Sequence, residues 1–310
     1  MRTLITGATG FVGTALVDRM VKENRYTVRV ALRRDLSDLA PNIEQAKADL
    51  GVETDWQQGL AGVDIVVHLA ARVHMMRETT ADPLREFRRV NVAGTLNLAR
   101  QAATAGLKRF VYLSSVKVHG ESGTYTEMDS PAPVDAYGLS KLEAERGLLK
   151  IAADTAMDVV IIRAPLVYGR NVRANFGALM RIVSLGVPLP FASVDNRRSL
   201  VGLDNLVDFI LTCIEHPAAA NEIFLVCDGE NLSTADLVRR LARAMDRPAR
   251  LIPVPPSLLL GAASMIGRRA VAHRLLESLC VDITKAQQLL EWTPPVSVDE
   301  GLRLAVDGRV

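Results

Sequence analysis

The sequence predicts an α/β chain, a doubly wound parallel sheet followed by a smaller C-terminal lobe. Three observations carry this reading. Continuous apolar runs alternate with helix-period segments over the first 165 residues, the pattern of strands buried on both faces by crossover helices. A glycine triplet, Gly7, Gly10 and Gly13, follows the first run and opens the first helical segment. Beyond Pro165 the alternation becomes irregular, with prolines and glycines clustered at 186–190 and 248–256, which predicts a second lobe of different build.

Taken in order, "RTLITG" is a first strand ending on glycine, and "TGATGFVG" is the turn after it. The GxxGxxG spacing lets backbone N–H groups and a helix N-terminus approach a pyrophosphate. "YTVRVALRRD" reads as the second strand, with Val28 and Val30 alternating, and it ends in Arg33 and Arg34. "VDIVVHLAA" (63–71), "RFVYLSS" (109–115) and "VVIIRAP" (159–165) are further strands, and the long segment 84–106 reads as a helix closed by Gly106. The strand at 109–115 places Ser114 and Ser115 at the C-terminal edge of the sheet, where open α/β folds bind ligands. In "YGLSK", Tyr137 and Lys141 are four residues apart and share a helix face. Such a pair also occurs on solvated helices, and the serine-bearing strand before it singles this one out. A phenol beside an ammonium and a cationic cofactor ring can exchange a proton with an alcohol oxygen near neutral pH, and a serine can hold that oxygen.

Composition bounds the rest. The chain has 310 residues, 49% hydrophobic and 23% charged, enough for one large or two modest domains with a sizeable core. Its 37 basic and 35 acidic side chains leave +2, too balanced to argue for a nucleic-acid partner. Thirty of the 37 basic residues are arginine. Cys213, Cys227 and Cys280 are widely spaced, which predicts unpaired thiols in a reducing, cytoplasmic setting and no metal site. The N-terminus carries no signal-peptide pattern, and no run approaches the ~20 apolar residues of a membrane span. The nearest is "SLLLGAASMIG" (257–267), followed by Arg268 and Arg269. It reads first as a helix of the smaller lobe and second as a loose contact with a membrane surface.

These segments together resemble an extended short-chain dehydrogenase/reductase of the nucleoside-diphosphate-sugar epimerase/dehydratase group. "TGATGFVG", "HLAA" (68–71), "NVAGTLNL", "SSVKVHG", "YGLSK", "IIRAPLVYGRN", "RRSLVGLDNLVDF" (197–209) and "VDITKAQQLLEWTPPVSVDEGL" carry the resemblance almost end to end. It implies a Rossmann-type cofactor domain over 1–165 plus about 200–228, and a substrate lobe over about 166–199 and 229–310. Ser115, Tyr137 and Lys141 would be the catalytic triad, with Tyr137 as general acid/base. Ser115 is chosen over Ser114 because it lies five before Gly120. The cofactor would meet Gly7, Gly10, Phe11, Val12 and Gly13, then Asp49 and Leu50, then Leu69, Ala70 and Ala71, with Asn91, Tyr137, Lys141 and Pro165. Ser115, Lys117, Asn175 and Arg198 would contact a nucleotide-sugar substrate, and the enzyme would form a homodimer.

The departures matter as well. The Asp-Glu pair of the family's dehydratases is replaced by Val116 and Lys117, which disfavours dehydration. Leu166 stands where many epimerases carry a diphosphate-binding asparagine, and His119 where a tyrosine is usual. Near the end of the second strand, the acidic residue that would hold a ribose 2′-hydroxyl aligns with Leu32, followed by Arg33 and Arg34. Guanidinium groups suit a 2′-phosphate, so NADP(H) is expected ahead of NAD(H). That preference in turn suggests NADP(H)-dependent reduction of the C4 keto group of a UDP-linked 4-keto-6-deoxy sugar for bacterial surface polysaccharide. The alternative is a UDP-sugar 4-epimerase with tightly bound NAD. A non-catalytic cofactor sensor and a reductase of steroid- or flavonoid-type carbonyls fit these motifs less well.

Overall fold

The computed structural model describes residues 1–34, 36, 39–73, 82–265, 267 and 269–308. Asp35 and Arg268, both noted in the sequence, lie outside the described residues. The chain begins with β1 (Arg2–Thr6), α1 (Phe11–Glu23), β2 (Thr27–Leu32), β3 (Glu44–Lys47), α2 (Gln57–Leu60) and β4 (Ile65–His68). Next come α3 (Pro83–Phe87), a π-helical turn (Arg88–Gly94), α4 (Thr95–Thr104), β5 (Arg109–Ser115), β6 (Gly123–Tyr125), α5 (Ala136–Asp154) and β7 (Asp158–Ala164). They are followed by β8 (Leu166–Tyr168), α6 (Ala174–Ser184), β9 (Arg198–Gly202), α7 (Leu203–Glu215) and β10 (Ile223–Leu225). The chain closes with β11 (Asn231–Leu232), α8 (Thr234–Ala244), α9 (Pro256–Met265), α10 (Arg269–Leu276), β12 (Leu279–Val281), α11 (Thr284–Leu290) and α12 (Val298–Asp307).

Among the described residues the main sheet has seven strands in the order β10-β7-β5-β4-β1-β2-β3, all paired in parallel. The side-chain period of two sends alternate residues to opposite faces. Ile5, Val67, Val111 and Val160 pack with Leu16 and Met20 of α1 and Leu206 and Ile210 of α7. Leu4, Val66, Phe110 and Val159 pack with Leu98 and Ala102 of α4 and Ala144 and Leu148 of α5. Each fully buried aliphatic side chain contributes about 1.5–3 kcal/mol, so the continuous apolar runs are accounted for by burial on both faces. Strand order reverses between β1 and β4, and their C-terminal ends frame the crevice where such sheets bind ligands.

A second sheet runs β11-β9-β12-β6, with β8 paired to β9. A separate core of Tyr168, Phe176, Met180, Leu200, Leu241 and Leu302 supports it. The C-terminal segment crosses the boundary that the sequence suggested at 228/229. Ala286, Leu290 and Trp292 join the core of the first domain, where Trp292 lies 4.7 Å from Phe209 between ring centroids. The Trp292 indole N–H donates to Asp208 Oδ2 at 2.9 Å. The apolar pattern of an amphipathic helix gives its burial but not which of two cores it faces.

Candidate active site

The glycine loop forms a cradle that side chains would fill. Gly7 has φ +71°, and a Cβ there would lie 2.7 Å from the Ala70 nitrogen. A Cβ on Gly13 would lie 2.1 Å from the Gly7 carbonyl oxygen. The Gly10 N–H donates to that same oxygen at 2.9 Å. Gly10 caps α1 without a side-chain hydrogen bond, and the first turn carries no acidic residue. The positive end of the helix is therefore left for an anionic group, which fits a dinucleotide pyrophosphate. Phe11 and Val12 pack against the core behind the loop.

Around this cradle the other expected contacts assemble at strand ends. The Leu69 N–H donates to Thr6 O (3.3 Å) and the Ala70 N–H to Thr6 Oγ1 (3.2 Å), so Leu69, Ala70 and Ala71 border the glycine loop. Asp49 is exposed just past β3 and accepts the Leu50 N–H at 2.8 Å, while Leu50 packs against the core. Leu32 is buried at the end of β2, and Arg33 and Arg34 stand exposed beyond it. Asn91 lies in the π-helical turn, buried. Its Oδ1 accepts the Arg72 N–H (2.7 Å), and its Nδ2 donates to Arg72 O (3.0 Å) and Ser140 Oγ (3.1 Å). Asn91 thus ties the segment after β4 to the residue before Lys141. Pro165 is buried between β7 and β8.

Strand β5 and helix α5 carry the three residues expected as a triad, Ser115, Tyr137 and Lys141. Asp135 caps α5, accepting the Gly138 N–H at 2.6 Å. A Cβ on Gly138 would lie 2.6 Å from Lys117 O, so the glycine lets the first turn press against the chain just past Ser115. Lys141 is buried, donates to Leu113 O at 2.8 Å, and lies 4.4 Å above the Tyr112 ring and 6.0 Å from the Tyr137 ring centroid. Burial pulls the Lys141 pKa down to about 7, against the opposing charge of Glu145. Burial, and then Asp135, push the Tyr137 phenol up. Phe87 meets the Tyr137 ring edge-on at 6.0 Å. Ser115 Oγ accepts the Lys117 N–H at 3.3 Å.

The expected substrate residues are placed less uniformly. Lys117 Nζ is held by Asp135 Oδ2 (2.5 Å) and Glu121 Oε1 (3.1 Å), so its charge is already met by two carboxylates. Glu121 also pairs with Arg274 of α10 at 3.2 Å. Arg198 is half-buried, and its Nη1 donates to Arg274 O (2.7 Å) and Glu277 O (3.0 Å), closing the carbonyl end of α10. Asn175 is exposed on α6, and Leu166 is exposed at the start of β8.

Beneath the triad is a buried network that the motifs did not reveal. Ser114 donates to Glu145 Oε1, Glu145 pairs with Arg163 Nη2 at 2.7 Å, and Arg163 Nη1 lies 2.9 Å from His119 Nε2. The strand period separates the two serines: Ser114 faces this network, and Ser115 faces the other way, beside Lys117 N. Glu145 follows Lys141 by one further helical turn, and Arg163 interrupts an apolar strand. Those two signals were present in the sequence. Buried His68 bridges Thr6 (2.7 Å) and Thr95 (2.9 Å), and burial holds its pKa down near about 3. It is a neutral strut rather than an acid or base.

A parallel sheet with a glycine-cradled helix start, and a Ser/Tyr/Lys set at the adjoining strand ends, define an NAD(P)-dependent enzyme of the extended short-chain dehydrogenase/reductase class. The chain belongs to the NAD dependent epimerase/dehydratase family, whose model matches residues 3–227. It is 46% identical over 306 residues to a UDP-glucose 4-epimerase of Vibrio cholerae, covering 97% of this chain and 93% of that protein. Its fold matches that of a UDP-glucuronic acid 4-epimerase from Bacillus cereus solved in complex with NAD, with a TM-score of 0.81 at 23% identity, covering 99% and 98% of the two chains. It also matches MoeE5 in complex with UDP-glucose and NAD, with a TM-score of 0.79 at 25% identity, covering 100% and 98%.

Proposed function

We propose that this protein is a UDP-sugar 4-epimerase. One observation carries the reading: the Ser115/Tyr137/Lys141 set sits at the sheet edge of a chain that is 46% identical, almost end to end, to a UDP-glucose 4-epimerase. The expected 4-ketoreductase gives way here, because the relative at 46% identity is a UDP-glucose 4-epimerase and the two solved neighbours above hold NAD. The cradle of Gly7, Gly10 and Gly13 would hold the dinucleotide, which when bound would supply a reversible hydride acceptor for the sugar carbon. Tyr137 removes the proton from the C4 hydroxyl and later restores it. Ser115 hydrogen-bonds the C4 oxygen and keeps it beside the phenol. Lys141 fixes the phenol's surroundings through its hold on Leu113 O. Proton and hydride both return, so the reaction has no net redox change.

The test is turnover of UDP-glucose and UDP-N-acetylglucosamine with no added cofactor. Interconversion with the C4 epimers is expected. NADPH oxidation by a UDP-4-keto sugar, with no epimer formed, would instead restore the reductase reading. The absence of an acid at Leu32, with Arg33 and Arg34 exposed beyond it, favours NADP as a second reading of the cofactor. Identifying the dinucleotide released on denaturation decides it, and Arg33→Ala with Arg34→Asp will lower NADPH affinity only if the arginines hold a 2′-phosphate. Pairing of two copies and a cytoplasmic site of action belong to this proposal. Light scattering on the purified chain tests the former.

A further inference from the structure

We infer that the substrate lobe docks on an anionic bilayer surface through α9 and the arginines around it. The inference goes beyond the epimerase reading and does not depend on it. A helix apolar on every side belongs in a core or in lipid. α9, with the sequence PSLLLGAASM, has no charged residue and no buried residue. Leu258 is 64% exposed and Met265 84%. Hydrophobic residues scattered singly on a surface need no explanation, but a continuous apolar face does.

The face extends beyond the helix. The Leu189 N–H donates to Arg250 O (2.8 Å), the Ile252 N–H to Leu189 O (2.9 Å) and the Ala192 N–H to Ile252 O (3.1 Å). This pairing sets the turn carrying Leu185 and Val187, both exposed, next to Ile252, which leads into α9.

Charge identifies the occupant. Beside this pairing, 181–194 and 247–276 contain six arginines and not one aspartate or glutamate. The other 31 basic residues are set against all 35 acidic ones. A chain with a net charge of +2 has therefore gathered positive charge around an apolar helix that has no buried residue. Arg181, Arg247 and Arg250 are exposed there, while Arg274 is met by Glu121. Acidic lipid headgroups attract such arginines, while the acyl boundary takes the leucines and methionine. A second copy of the chain would bring the same arginines face to face. Ten residues rise ~15 Å, half a hydrocarbon core, so the helix lies in one leaflet's interface. Among the described residues no helix is long and apolar enough to cross a membrane.

The experiment is co-sedimentation of the full chain with phosphatidylcholine vesicles and with vesicles containing 30 mol% phosphatidylglycerol. Binding is expected with the anionic vesicles and not with the neutral ones, falling in 0.5 M salt. The double variant Leu258→Glu with Met265→Glu should partition about tenfold more weakly, with dinucleotide binding and solution turnover unchanged as the check on folding. Equal binding to both vesicle types, or recovery in the supernatant with both, overturns the inference. So does a double variant that sediments like the wild type. A wild type that stays in the supernatant but dissociates to a smaller species on substitution would assign the face to a second copy instead.

Discussion

At the scale of single residues, Tyr137 and Lys141 hold their protons in opposite ways. Burial and then Asp135 favour the protonated phenol, so these side chains do not supply the lowered phenol pKa that the sequence suggested, and Tyr137 would act as a base only beside a cationic nicotinamide ring; burial meanwhile lowers the Lys141 pKa. Replacing Tyr137 by Phe removes the proton carrier but not the packing against Phe87. Turnover should fall by about 10²–10⁴ with the nucleotide-sugar Kd nearly unchanged, as isothermal titration would show. Lys141 leaves a thermodynamic mark. Its folded pKa of about 7 lies below the ordinary lysine value of 10.5, so between these pH values the unfolded chain binds the extra proton and stability rises with pH. Urea midpoints from pH 7 to 10 should climb in the wild type relative to Lys141→Met.

The placement of Tyr137 and Lys141 on one helix face, beside the strand end that carries Ser115, was legible because short spacings fix it; their catalytic roles belong to the proposal. Glu145 and Arg163 were not legible, because each alone reads as an ordinary helix glutamate or strand-end arginine. Only the fold sets one against the other.

The element that organises the site is α5. Tyr137, Lys141 and Glu145 are spaced four apart, so one helix face carries the phenol, the amine and the buried carboxylate. Glu145 is paired to Arg163 with both side chains almost wholly buried. Removing one partner of such a pair leaves an uncompensated charge, so Glu145→Gln should cost about 3–5 kcal/mol in urea denaturation. Replacing both, with Glu145→Leu and Arg163→Met, should cost less than the single change. The π-helical turn at 88–94 had no sequence signature. Its effect is to seat Asn91 against residue 72 and Ser140, a placement that regular helical spacing does not predict. The same holds for Lys117: spacing placed it at the site, and only the packing of the 116–118 turn against α5 assigned it to Asp135.

Across the whole molecule, the alternation of strands and helices and the glycine loop gave the architecture, since burial on both faces dictates both. The reaction was less legible. Leu32, Arg33 and Arg34 pointed toward reduction, yet a strand-end charge pattern reports on one edge of the cofactor and says little about whether hydride is returned to the sugar. Buried histidines set the acid limit of the fold. His68 is held near about 3 and His119 near about 4, both chiefly by burial. Below 6.5 the unfolded chain takes up protons that these residues refuse, so stability falls as pH drops from 6.5 toward 4. Thermal unfolding should show this loss, reduced in a His119→Gln variant.

Glu121 is gripped by two cations from different parts of the chain: Lys117, which also holds the cap of α5, and Arg274 of α10. Arg198 closes the end of the same α10. α10, which follows the helix that we place on the bilayer, is thus wired to Lys117 and Arg198, the two cations proposed for the nucleotide-sugar side. Binding free energies at two linked sites are reciprocal. Whatever factor a filled sugar site lends to vesicle affinity, vesicles must lend to sugar affinity, and Glu121→Gln should move both factors together toward one.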